Sequence, residues 1–255
     1  MKKTLASVFI FSLITFFAGS AHAVKPPLFT DEATTIGKGK VEIELNGEYA
    51  HNSDEGVTEK ETVIEPKFTY GVAENIDIAL AAPYKFIRVR GGADDFSSDG
   101  FGDAAISLKW RLYEEHGLAF AVRPGITLPT GSHEDELGTG KVTYSLFLLG
   151  TKEFHHGAFH ANIGYLRNEN KSDARKDILF GSAAVEYEAV EHLALVADIG
   201  IHTNADKNSN THPAYILGGL IYSVSKNMDV DLGLRGGLTK TEPDYTLLWG
   251  MKLKF

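Results

Sequence analysis

The last eleven residues alternate in character. Tyr245, Leu247, Trp249, Met251, Leu253 and Phe255 fall on one face of a β-strand, while Thr246, Gly250, Lys252 and Lys254 supply most of the other, because successive side chains in a strand point to opposite sides. A face carrying two lysines cannot meet hydrocarbon, and an unbroken apolar face ending in an aromatic cannot meet water. A strand of this kind separates the two.

The same pattern recurs upstream. From Lys40 onward the chain divides into segments of about 10 to 13 residues, close to the length a tilted membrane-spanning strand needs. Val41, Ile43, Leu45 and Tyr49 alternate with Glu42, Glu44, Asn46 and Glu48, and Ala104, Ile106, Leu108, Trp110 and Leu112 oppose Asp103, Ser107, Lys109 and Arg111. Short connections such as 71–75, 114–117, 155–157, 190–192 and 225–227 take turns with longer polar ones at 51–60, 88–100, 130–141, 167–176, 203–212 and 238–244. That asymmetry is the one expected of short periplasmic turns and longer extracellular loops. The expected fold is all-β: a transmembrane up-and-down antiparallel β-barrel of about twelve strands over residues 40–255. A soluble β-sandwich alternates for a related reason, but its strands are usually nearer 5 or 6 residues. Tyr49, Tyr70, Tyr84, Tyr113, Tyr165 and Tyr187 lie near segment ends, where membrane interfaces collect aromatics. Pro66 and Pro124, in mid-segment, each forfeit a ladder hydrogen bond and are expected at bulges.

Residues 1–23 have Lys2 and Lys3, an apolar stretch from Leu5 to Ala18 and the small-x-small close Ala21-His22-Ala23, the pattern of a secretory signal peptide cleaved near Ala23. Residues 24–39 are then expected as an N-terminal periplasmic segment. Beyond the signal no apolar run approaches the roughly 20 residues of a spanning helix. The net charge of −9 argues against a nucleic-acid partner, and the lack of Cys excludes thiolate metal sites and cysteine nucleophiles.

Several turn and strand-end motifs carry a family likeness. They include Pro27-Leu28-Phe29-Thr30-Asp31, Gly37-Lys38-Gly39-Lys40-Val41-Glu42, Ala82-Pro83-Tyr84, Gly100-Phe101-Gly102-Asp103 with Lys109-Trp110-Arg111, and Leu128-Pro129-Thr130-Gly131. With His160-Ala161-Asn162-Ile163-Gly164-Tyr165, they cover nearly all of the mature chain. The sequence resembles the "MetA-pathway of phenol degradation" family of outer-membrane proteins. The resemblance implies an outer-membrane transporter, with uptake of aromatic compounds as the associated role. Phe255 likewise resembles the terminal signal by which outer-membrane barrels are passed to the barrel-assembly machinery.

On the inward parity, Glu42, Glu44, Glu48, Lys67, Lys109, Arg111, Arg123, Asp198 and Arg235 are candidates for a charged, solute-selecting lumen. The competing reading is a mixed-sign network that fills the interior. Barrel closure sets the first and last strands side by side, so Lys252 and Lys254 are expected to face Glu42, Glu44 or Glu48. Phe147 and Leu149, with Leu166 and Val196, suggest an apolar pocket for small aromatic or other apolar solutes, against a plain packing role. Ser107, Ser145 and Ser182, with His160 or His202, offer the parts of a hydrolase, but no GxSxG or HExxH motif accompanies them. The acidic loop Asp94, Asp95, Ser97, Ser98, Asp99 lacks the ordered spacing of a calcium loop. The expected function is a passive or gated outer-membrane conduit for small solutes, with no enzyme activity, cofactor or metal. Its expected partners are outer-membrane lipid and lipopolysaccharide. The alternatives are a non-conducting structural or surface-interaction barrel, and then a lipid-acting enzyme.

Overall fold

The computed structural model describes residues 26–54, 56–91 and 95–255; the expected signal peptide and Asp94 of the acidic loop lie outside them. Fourteen strand segments are formed: β1 Val41–Asp54, β2 Val57–Ala73, β3 Ile76–Ala81, β4 Tyr84–Arg90, β5 Phe96–Phe101, β6 Ala104–Glu115, β7 Leu118–Leu128, β8 Thr143–Phe154, β9 Gly157–Arg167, β10 Asp177–Val190, β11 Leu193–His202, β12 Ala214–Ser225, β13 Met228–Gly237 and β14 Tyr245–Lys254. β3 and β4 both pair along β2 and form one stave interrupted at Ala82-Pro83. β5 and β6 form another, interrupted at Gly102-Asp103. The fourteen segments therefore make twelve staves, and antiparallel β1–β2 and β1–β14 pairings close them into a barrel.

Two-residue turns join β2–β3, β6–β7, β8–β9, β10–β11 and β12–β13 at one end. His116 (φ 50) and Gly117 (φ 69) both take left-handed backbone in one of them, the geometry that matches strand twist in a tight hairpin. All four register shifts, at Gly71/Ala73, Arg111/Tyr113, Glu188/Val190 and Ser223/Ser225, lie beside these turns. The prolines are not at bulges. Pro66 stays in register opposite Leu45 and faces the Ala82-Pro83 interruption on its other side, so two residues lacking N–H donors share one gap in the ladder. The β6–β7 offset is unchanged across Pro124.

The opposite end differs from expectation at 51–60 and 88–100, which are largely strand. β1 runs to Asp54 and β2 starts at Val57; β4 runs to Arg90 and β5 starts at Phe96. A hairpin that outruns the hydrocarbon has polar residues on both faces and so carries a loop-like sequence. The segments 129–142, 168–176, 203–213 and 238–244 remain irregular.

Alternation partitions the side chains. Leu45, Phe68, Leu80, Trp110, Leu148, Ile163, Ile199, Leu232 and Trp249 are exposed on the outer wall, whereas Glu44, Lys67, Lys85, Arg123, Asp198 and Arg235 are buried within. Tyr113 meets Phe120 and Phe154 meets Phe159 at the turn end, and Tyr84 meets Phe86 and Phe101 toward the other. These are the two aromatic girdles of a membrane barrel.

At the seam, Glu44 registers with Lys252 and Glu42 with Lys254. Lys252 Nζ lies 2.8 Å from Glu44 and 3.5 Å from Glu42, and Lys67 also contacts the Glu44 carboxylate. Lys254 stands opposite Glu42 in register, as expected, but its Nζ bonds Asp229 of β13 at 2.6 Å, since a side chain on β14 can lean to either neighbour. Backbone bonds between Val41 and Phe255 (3.0 and 2.8 Å) complete the join. Breaking a buried ion pair from one side typically costs about 3–5 kcal/mol. Lys252→Glu is therefore expected to lower the temperature at which the folded form unfolds in a heat-modifiability gel, and Lys254→Glu to lower it less; unchanged mobility for Lys252→Glu would refute the seam assignment.

Candidate functional site

The segment expected in the periplasm, 24–39, runs instead through the barrel over its described residues. From Pro26 to Ile36 it lies inside the lumen as a strap without regular structure, and Gly37 to Lys40 lead out at the turn end into β1. Such a backbone carries N–H and C=O groups that the sheet does not satisfy, so the lumen must supply partners. Asp198 accepts the N–H groups of Phe29 and Thr30 (both 2.7 Å) and the Thr30 hydroxyl (2.8 Å). Thr151 accepts from the Ala33 N–H at 2.8 Å and Asp77 from that of Ile36 at 3.1 Å. Asp31, 1 % exposed, bonds Lys109 Nζ at 2.9 Å and lies 3.5 Å from Arg123.

The wall is shaped to receive this strap. Gly219 and Gly233 oppose each other across β12 and β13, and a Cβ on either would stand 2.7 or 2.8 Å from Pro27. Any larger pair would push the strap off the wall. Leu28 packs with Leu217, Tyr215 and Leu248, and Ala33 with Leu149, Phe147, Ala119 and Ala121.

Among the described residues, space remains on either side of the strap. Toward the turns, a polar cavity of about 110 Å³ is bounded by Asp31, Glu42, Glu44, Lys67, Lys109 and Lys252. Toward the loops, a cavity of about 120 Å³ is lined by Phe29, Phe147, Phe180 and Tyr215 on one side, and by Glu48, Glu65, Asp231 and Arg235 elsewhere. Arg235, 1 % exposed, stacks over Phe29 (4.4 Å) and Tyr215 (5.6 Å), donates to Thr246 (3.1 Å) and lies 3.5 Å from Glu242. Glu242 belongs to the irregular 238–244 segment; burial pushes its carboxyl above the ordinary range and Arg235 draws it back.

The segments at the loop end fold inward. Asp103, at the β5–β6 interruption, accepts from the Gly131 N–H (3.0 Å) and from the Thr139 N–H and hydroxyl (2.7 and 2.8 Å), which seats Leu137 at 4 % exposure. Arg175 ties 168–176 to 203–213 through its N–H to Ala205 (2.7 Å) and its Nε to Asn204 (2.9 Å). In the same clasp Lys207, bonded at 2.5 Å, holds the Asp173 carboxyl below its usual range.

Of the sequence-derived candidates, Asp198, Lys109 and Arg123 converge on the strap, Glu44 and Lys67 on the seam, and Glu48, Arg235 and Phe147 on the loop-side cavity. Glu42 borders the polar cavity. Arg111 sits at the turn rim, bonded to Glu114 (2.6 Å) and the Glu74 carbonyl (3.0 Å). Leu149 packs against the strap and not on the loop-side cavity where an apolar pocket was expected to include it; Phe147, two residues toward the loops, covers that space. Phe255 is exposed on the outer wall. His160 contacts Thr151, the residue that holds Ala33, at 3.0 Å. Asp31, Phe29, Phe180 and Tyr215 were missed: the first two lie in an aperiodic stretch, Phe180 in a segment of weak parity, and Tyr215 where both faces of the segment are apolar. Gly233→Leu adds bulk under Pro27, where overpacking costs about 1–3 kcal/mol. The variant is expected to keep a heat-resistant barrel but lose protection of the strap from protease; a strap as protected as in the parent would contradict the seating.

The chain resembles the COG4313 outer membrane channel from Pseudomonas putida F1 with a TM-score of 0.69 at 14% identity, covering 91% of this chain and 100% of that one. It resembles the NanC porin with a TM-score of 0.55 at 8% identity, over 84% of this chain and 100% of the porin, and the KdgM porin with 0.52 at 10%, over 84% and 99%. At these identities the likeness is one of fold. No curated protein sequence matches. The model of the family described as "Putative MetA-pathway of phenol degradation" matches residues 26–255, and the chain belongs to that family.

Proposed function

We propose that this protein is a gated conduit for small solutes in the outer membrane, closed at rest by the Pro26–Ile36 strap. One observation carries the reading. The strap crosses mid-lumen on hydrogen bonds and ion pairs to wall side chains and joins no strand of the sheet, so it can leave without opening the barrel. Eight strands are filled by their own side chains and sixteen to eighteen leave a water channel; in this twelve-stranded barrel the strap occupies what the side chains do not.

With the strap and its Asp31 out of the lumen, the wall carboxyl groups Glu42, Glu44, Glu48, Glu65, Asp77, Asp103, Asp198 and Asp231 outnumber the wall cations Lys67, Lys85, Lys109, Arg123, Arg235 and Lys252. We therefore assign the open lumen a preference for cations over anions. The aromatic wall of the loop-side cavity supports passage of solutes with an apolar body. Signal cleavage near Ala23, delivery through Phe255 to the barrel-assembly machinery, and contact of the outer girdle with lipopolysaccharide complete the proposal. The non-conducting barrel is its competitor, and the interlocked loop end is the feature that favours it.

In planar bilayers, deletion of residues 26–36 is expected to raise single-channel conductance at least threefold and to shift the reversal potential toward the cation in a salt gradient. The absence of conductance in both the full chain and the deletion would replace the conduit by the non-conducting barrel.

A further inference from the structure

The loop-side cavity is built with acceptors that lack donors. Asp231, Gly250, Asn46 and Glu65 form one cross-strand row over β13, β14, β1 and β2, and Glu48 lies two residues further along β1. Gly250 leaves the space into which Asp231 leans, since a Cβ there would stand against its carboxylate. Asp231 is 8 % exposed, and its Oδ1, the Asn46 Oδ1 and the Glu48 Oε2 are buried with no hydrogen-bond donor among the described residues. Asp231, Asn46 and Glu48 all line the cavity. A buried acceptor left without a donor is unfavourable, so an occupant that brings donors is favoured over one that does not.

Across the cavity the surface is aromatic. Phe29 and Tyr215 stand 5.4 Å apart and Phe147 and Phe180 5.7 Å apart between ring centres. Arg235, the cation lining this space among the described residues, has its face on Phe29 and its charge met by Glu242. A carboxylate entering here would meet three carboxyl groups and an arginine already engaged.

We propose that this cavity binds small aromatic molecules that end in a hydrogen-bond donor, amines before alcohols, and turns away aromatic carboxylates. The ring lies on the aromatic wall while the donor reaches Asp231 and Glu48. The assignment rests on the conduit reading for the route by which a solute arrives, and binding and passage are separable in the test.

Isothermal titration of the folded, detergent-solubilised barrel with benzylamine, benzyl alcohol, toluene and benzoate at neutral pH provides it. Benzylamine is expected to bind at least tenfold more tightly than toluene, with benzyl alcohol between them and benzoate weakest. Asp231→Asn and Glu48→Gln keep the shape of each side chain, and either should remove most of the amine's advantage over the alcohol while leaving toluene unchanged. Heat-modifiability verifies that the variants are folded. Equal affinity for all four probes, no saturable binding by the amine or the alcohol, or a preference for benzoate that disappears in Arg235→Gln would overturn the proposal. The expected order in a barrel that conducts nothing would sustain this inference and remove the conduit, while conduction without that order would do the reverse.

Discussion

Hydrocarbon offers no hydrogen bonds, and this one constraint governs the molecule. A strand in lipid must satisfy both of its edges, so the sheet has to close on itself, and β1 does so by pairing with β2 on one side and β14 on the other. Closure fixes the parity of every stave. Once Leu45 and Trp249 point to lipid, Glu44 and Lys252 are forced inward, and charges enclosed at close range have to find one another. The Lys67–Glu44–Lys252 cluster answers that demand and sits at the seam itself.

The same enclosure explains the strap. A twelve-stranded barrel lies between those that their own side chains fill and those that leave a water channel. Lumen groups have wall partners of their own, Asp198 the Tyr215 hydroxyl and Arg123 the Phe147 ring. A peptide segment adds to these: N–H groups for Asp198 and a carboxylate for Lys109 and Arg123. The strap in turn obtains partners for a backbone that forms no ladder. Each side satisfies the other without a strand being formed.

Much of the barrel was legible in the sequence because period-two alternation is a direct image of lipid outside and a polar interior. Tyr245 to Phe255 and Val41 to Tyr49 show this, and closure alone set Lys252 beside Glu42, Glu44 or Glu48, of which the first two are its partners. The strap was not legible, for Pro26 to Ile36 has no period and its polar residues suit a periplasmic tail as well as a lumen. Inward residues could be recognised by parity, but parity says nothing of whom they meet; Lys254 turned to Asp229 on this account. The hairpin tips at 51–60 and 88–100 misled for a related reason, since strands beyond the membrane lose the contrast between faces. Pro66 and Pro124 misled because a missing donor can be absorbed by a gap in the neighbouring stave or by an unpaired step, without any extra residue.

The strap is continuous with β1, and β1 carries the seam. Where the seam between first and last staves is the last join to form, it encloses a peptide already tethered at its margin. Because Pro27 rests on the Gly219–Gly233 pair of β12 and β13, near the final stave, the interior can be furnished while the wall is still an open sheet. Threading a finished cylinder is then unnecessary, and the covalent neighbourhood of Pro26 to Lys40 becomes a matter of assembly order as much as of occupancy.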